Sequence, residues 1–233
     1  MTGDPGDWLC VGDFCTGAAP LLGGSVAAAF ALARTALPRR VIVDRWIRYR
    51  ISLDSARTGP TDARLTPVTD DLVQALRQHP ESAANQLKSG LRFWDHGLTR
   101  AYVWLNGSEP ICIQWLLTSA DSPRLRTLGE WAGMYPPLPA DCGQVENLYA
   151  FSTVRKKGVA TEFEYALFDL TRQAGLRRLI THIHEGNVAA RAWADRTGWQ
   201  AYGIITRYRL DLPGLRGLNV FLHRRGDGGH PAS

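Results

Sequence analysis

From residue 145 onward the sequence alternates between strand and helix signals, and this constrains the fold more than anything else in the chain. Val145–Phe151 reads as a strand. After Gly158, the positions Val159, Phe163, Ala166, Leu167 and Leu170 recur at helical spacing, and Gly175 ends that helix. Leu179–His184 is the next strand, Val188–Thr197 a helix stopped by Gly198, and Gln200–Leu210 and Leu218–His223 two further strands. Alternating elements of this kind bury their apolar faces only by stacking helices on a sheet, which predicts an α/β fold.

The upstream half adds strands to the same sheet. From Arg45 the chain alternates, with Ile47, Tyr49, Ile51 and Leu53 on one face and Arg48, Arg50 and Ser52 on the other, as in a half-buried strand. Helices are expected over 70–77 and 81–96, separated at Pro80 and stopped by Gly97. Thr99–Leu105 and Pro110–Thr118 then form a hairpin about Asn106-Gly107. The long connection Ser119–Gln144, with Trp131 and Tyr135, reads either as a lid or as a surface excursion carrying a short helix at Arg124–Trp131. The expected organisation is an extension over residues 1–44 with one helix at Ser25–Leu37, a domain over 45–224, and a disordered tail over 225–233. The expected fold is a mixed, mostly antiparallel central sheet flanked by helices, with an N-terminal helical extension.

Composition removes several classes. With 45% hydrophobic and 21% charged residues the chain affords a core, so wholesale disorder is excluded. Cys10, Cys15, Cys112 and Cys142 lack CxxC spacing, which argues against a disulfide scaffold or zinc ribbon and for thiols in a reducing cytoplasm. The net charge of +5 comes from arginines spread along the chain rather than clustered, so no nucleic-acid partner is expected. Gly17–Leu37 contains Pro20, Gly23, Gly24 and Arg34 and lacks the apolar run a membrane span needs.

The segment Arg155-Lys156-Lys157-Gly158-Val159-Ala160 lies between a strand and a helix start, where open backbone N–H groups and the helix dipole favour a phosphate. The Arg/Gln-x-x-Gly-x-Gly/Ala pattern alone arises by chance roughly 0.7 times in a chain of this composition. It lacks the Lys-Ser/Thr of a nucleoside-triphosphate loop and the Gly-x-Gly of a dinucleotide loop. Its context makes it specific: 29 residues after Gly158, Asn187-Val188-Ala189-Ala190 opens a helix that ends in Thr197-Gly198-Trp199. This arrangement resembles the GCN5-related N-acetyltransferase (GNAT) superfamily over roughly 145–210.

The resemblance implies an N-acyltransferase that uses acetyl-CoA or another acyl-CoA and no metal. It implies that Arg155, Lys156, Lys157, Gly158, Val159 and Ala160 hold the pyrophosphate. Tyr149, Ala150 and Phe151 on the preceding strand, and Asn187, Ala190 and Trp193 on the later helix, would line the cofactor. Asn187 reads equally as a helix N-cap. Many members carry a tyrosine acid where this chain has Ala194. Glu146 is the first candidate for the base that deprotonates the attacking amine, with a pKa raised by half-burial. His182 and His184 follow, a pair that also hints at a metal but lacks a third ligand. Tyr149 is a further acid candidate. The acceptor is expected to be a small-molecule or peptide amine. A longer acyl donor and a catalytically silent CoA- or partner-binding module are the rivals, and the extension leaves a homodimer contact open.

Overall fold

The computed structural model describes residues 8–11, 14–17, 41–59, 65–210 and 218–225. In chain order the elements are β1 (Trp8–Val11), β2 (Phe14–Gly17), β3 (Val41–Ser52), β4 (Thr66–Pro67), α1 (Asp70–Gln78), α2 (Asn85–Asp95), β5 (Ala101–Asn106), β6 (Glu109–Leu117), β7 (Cys142–Ala150), α3 (Val159–Gln173), β8 (Arg178–His184), α4 (Val188–Arg196), β9 (Gln200–Leu210) and β10 (Leu218–Arg225). This is the mixed α/β architecture expected, with a mostly antiparallel central sheet flanked by helices. The helix expected at Ser25–Leu37 and the tail beyond 225 lie outside the described residues. The domain start expected at residue 45 falls inside β3.

The chain divides into two compact units, the first comprising residues 1–50, 125–137 and 182–233 and the second residues 51–124 and 138–181. In the first unit β2, β1, β10, β9 and β3 pair in that order, each antiparallel to the next. The alternation expected along β3 holds from Tyr49 to Leu53, with Arg50 and Ser52 exposed between buried residues, but fails at Ile47 and Arg48. Trp46 and Arg48 are buried and Ile47 is only half-buried, while Tyr49 and Ile51 are buried in turn. The register with β9 shifts between Arg48 and Tyr49, where β9 carries one extra residue, Tyr202. Arg48, expected to face solvent, is 1% exposed, with its guanidinium against the Tyr202 ring.

In the second unit β4, β5, β6 and β7 form an antiparallel run, and β7 pairs parallel with the start of β8, Gln144 opposite Ile180. The parallel pair is the product of the α3 crossover. Phe163, Leu167 and Phe168 of α3 are fully buried, as the helical spacing required. The hairpin turn lies one residue later than expected. Asn106 still pairs with Glu109, and Gly107 takes φ +64° as the first of two loop residues. A glycine with positive φ at the first loop position matches a II′ turn, one of the two types whose twist suits the flanking strands.

Gly90 shows how closely α2 sits on the sheet: a Cβ there would lie 2.2 Å from the Trp115 ring. Gly90→Ala gains about 1 kcal/mol of helix propensity. It forces apart a ring that is fully buried, at a cost of about 1–3 kcal/mol. The net expectation is a melting temperature below wild type, checked by thermal denaturation, despite alanine being the better helix former.

Candidate functional site

The loop after β7 is shaped by two left-handed residues. Lys156 has φ +64° and Gly158 φ +81°, and Gly158 is the N-cap of α3. A Cβ at Gly158 would meet nothing within 4 Å, so glycine is needed there for its backbone conformation rather than for room. The Gly158 carbonyl accepts the N–H groups of Thr161 and Glu162. The N–H groups of Val159 and Ala160 belong to the open first turn, which has no helix acceptor for them. With the dipole of a 15-residue helix behind them, they form a ready anion site. Lys156 stands exposed beside it, and the Lys157 ammonium donates to the Thr153 carbonyl at 2.8 Å.

Arg155 is more committed than the motif suggested. Its Nε donates to the Ala150 carbonyl at 2.9 Å, and its Nη2 reaches the Tyr149 hydroxyl at 2.6 Å and Glu81 Oε2 at 3.0 Å. Glu81 also accepts from the Tyr149 hydroxyl at 2.5 Å and from the backbone and side chain of Ser152. Beside it, the Phe151 ring packs edge-on against His79 and Tyr149. Sequence reasoning missed Glu81, since nothing local in the α1–α2 connection points to a loop 74 residues away. Burial raises the Glu81 carboxyl, but the hydrogen bonds from Tyr149 and Ser152 and the Arg155 charge outweigh it and hold the group below its usual range. Burial, then donation to Glu81, pushes the Tyr149 phenol up, so it is protonated at neutral pH.

The sign of the linkage follows. A depressed carboxylate stabilises the fold above its unfolded pKa of about 4.3, and that contribution fades as pH falls through the lower folded value. Glu81→Gln is therefore expected to flatten this part of the acid-side loss of melting temperature, as measured by thermal denaturation between pH 3 and 7.

Upstream on β7, the register with β6 breaks between Ile113 and Trp115, and Asn147 adopts φ +58°. This bulge turns backbone out of the ladder in the middle of the strand. Asn is among the few side chains that tolerate this conformation, the one trace the bulge leaves in the sequence. Glu146, immediately before it, is 7% exposed rather than half-buried, and Gln144 Nε2 donates to its Oε1 at 2.7 Å. Burial drives the Cys112 thiol upward, with Glu164 adding to the shift, so this buried cysteine is no nucleophile.

The remaining candidates lie in the first unit. Asn187 caps α4, its Oδ1 accepting the Ala190 N–H at 3.2 Å, with Trp193 half-buried along the same helix. Ala194, the position at which the resemblance implies a tyrosine acid, is fully buried. His182 is buried near Tyr135. Burial, then the charges of Arg48 and His223, hold its pKa well below the ordinary value, so it is neutral at pH 7. His184 is exposed, stacks edge-on against Trp46 and lines an open cleft of about 310 Å³ with Val43, Asp44, Arg45, Glu185 and Gly186. Among the described residues no three His, Cys, Asp or Glu side chains gather as a metal site, and no helix is long and apolar enough to cross a membrane.

A bulged strand thus leads through a left-handed glycine into an open helix N-terminus, on a mixed sheet. Residues 89–199 match the model of the acetyltransferase (GNAT) family. That segment, a little under half of the chain, carries the likeness to the GNAT superfamily. A GNAT-family acetyltransferase from Colwellia psychrerythraea has the same fold, with TM-score 0.51 and 9% identity over 79% of this chain and 57% of that one. So does a functionally unknown conserved protein from Staphylococcus epidermidis, with TM-score 0.51 and 12% identity over 84% of this chain and 67% of that one. A GCN5-related glucosamine N-acetyltransferase region of a fungal multi-domain GH3 β-N-acetylglucosaminidase gives TM-score 0.52 and 10% identity over 84% of this chain and 23% of that one. At these identities the likeness is one of fold. No curated protein matches the chain in sequence.

Proposed function

We propose that this protein transfers an acyl group, acetyl in the first instance, from acyl-CoA to a primary amine by direct attack. The observation that carries the reading is the loop itself: Gly158 at φ +81° capping α3, with the Val159 and Ala160 N–H groups open at its N-terminus. Those groups, with Lys156, fit a pyrophosphate. The β7 bulge at Asn147 frees main-chain N–H and C=O groups that suit an amide-bearing pantetheine arm. When bound, an acyl-CoA supplies the thioester whose C–S bond breaks as the C–N bond forms.

The chain's own residues manage the protons. A protonated amine has no lone pair, so a base must take its proton, and Glu146 is the acidic side chain beside the bulge. Its burial favours the neutral acid, and the hydrogen bond from Gln144 favours the carboxylate. No tyrosine returns a proton to the leaving thiolate from position 194. A CoA thiolate leaves acceptably without an acid near neutral pH, because its conjugate thiol has a pKa of about 8.5, the usual value for a free thiol.

The test is acceptor-dependent release of CoA thiol from acetyl-, butyryl- and octanoyl-CoA with a panel of primary amines. Release with acetyl-CoA above the rate without amine supports the reading, and faster release from octanoyl-CoA moves the donor to longer chains. Binding of acetyl-CoA without release for any amine replaces the reading with a silent CoA-binding module, the alternative that the buried Ala194 favours.

A further inference from the structure

The first unit buries two arginines, and they are treated differently. Arg207, 2% exposed, lies across the Trp131 ring at 4.2 Å, with Asp44 at 3.8 Å and Glu130 at 3.9 Å to balance its charge. Arg48, 1% exposed, has an aromatic face as well, the Tyr202 ring at 4.6 Å. Among the described residues no carboxylate pairs with it, and its Nε and Nη2 donate to nothing. A buried cation left in this state costs several kcal/mol.

The pattern of the open donors is informative. Nε–H and the neighbouring Nη2–H lie on one edge of the guanidinium and point the same way, the fork that takes two oxygens of one carboxylate through parallel hydrogen bonds. Tyr202 lies with its ring against the guanidinium, at 4.6 Å. It is the extra residue of the β9 bulge, placed on the face of β3 that carries both Arg48 and Arg50, and Arg50 lies over the same ring at 5.6 Å. His182, close enough for the Arg48 charge to depress its pKa, is neutral and supplies no counter-charge. Tyr135 packs over His182, and the Gly133 carbonyl meets His223 Nε2 at 2.8 Å, so the segment 129–135 covers this part of the unit. Gly129, at φ +60°, begins that cover.

We propose that Arg48 is the anchor of a binding site for a small-molecule carboxylate, held by the Nε–Nη2 edge with the Tyr202 ring against the guanidinium. This assignment does not rest on acyl-CoA binding, which is read from the α3 loop. A planar carboxylate fits the fork better than a tetrahedral or amide ligand, because two oxygens in one plane match two parallel N–H groups.

The test is thermal denaturation of the full chain with acetate, benzoate and indole-3-acetate, each against its amide analogue and inorganic phosphate at matched ionic strength. Wild type is expected to show a rise in melting temperature that grows with the logarithm of ligand concentration and reaches roughly 5–10 °C at a hundred times Kd for at least one carboxylate, with none for its amide. Arg48→Met should lose that rise. Without ligand it should melt at or above wild type, since an apolar side chain of similar length replaces an unbalanced buried charge. Arg48→Lys keeps the charge without the fork, so it tests the geometry if the methionine variant fails to fold, and it should lose the rise as well. A response equal in wild type and variants, a response to phosphate or amide alone, no response to any of the acids at 20 mM, or a ligand-free Arg48→Met that melts well below wild type would each overturn the site. In the last case the arginine is structural.

Discussion

Replacing Gly158 with glutamate is expected to weaken acetyl-CoA binding at least about a hundredfold while leaving the fold intact. Two effects combine. At φ +81° a side chain of any kind strains the backbone, and relief of that strain would turn the Val159 and Ala160 N–H groups away from their common target. A carboxylate roughly 5 Å from a pyrophosphate adds a repulsion of about 3 kcal/mol per charge pair at an effective dielectric of 20, enough alone for about a hundredfold. The fold tolerates the change because the site is open, with nothing within 4 Å of a Cβ, and because an acidic group at a helix N-terminus is favourable. Calorimetric titration of variant and wild type, beside their melting curves, measures this. Gly158→Ala separates the parts, since it carries the strain without the charge.

The second large effect is expected at Glu146. Glu146→Gln should lower the acceptor-dependent rate by about 10²–10⁴, the usual contribution of a general base, and leave acetyl-CoA affinity unchanged within about threefold. Glutamine is nearly isosteric, and Gln144 still finds an oxygen acceptor at position 146, so the buried pair survives the change. The rate deficit should shrink as pH rises, because more of the amine is then already deprotonated. Steady-state rates between pH 6.5 and 9.5 read this directly. A rate unchanged at pH 7 would move the base away from Glu146. His182 is a poor substitute there, being buried and, with its pKa held well below the ordinary value, a weak base, whereas His184 stands in the open cleft.

How much of this was legible in the sequence varies with the range of the forces involved. The α3 face, the caps at Asn187 and Gly158, and the strands on either side rest on neighbours within a turn or two, and they appear within a few residues of where periodicity and glycine put them. The hairpin was legible too, but its turn slid by one residue, because Asn106 pairs with Glu109 and Gly107 serves the first position of the two-residue loop. What the sequence hid are features set by distant partners. Alternation along β3 predicts an exposed Arg48. In the fold it is buried, with its guanidinium against the ring of Tyr202, more than 150 residues later. Likewise Glu81 reads as an ordinary residue after a proline until the fold sets it against Tyr149, Ser152 and Arg155. The Asn147 bulge lies between the two cases, since an asparagine in mid-strand is a weak local sign of a left-handed residue.

The measurement that bears most directly on the account is calorimetric titration of the wild-type chain with acetyl-CoA, with free CoA as competitor. The open turn of α3 predicts one site per chain, a dissociation constant in the micromolar range, and displacement by CoA, because both ligands present the same pyrophosphate. Absence of heat up to millimolar acetyl-CoA would contradict the account at its root, since a loop that holds no pyrophosphate leaves Glu146 no thioester beside which to act.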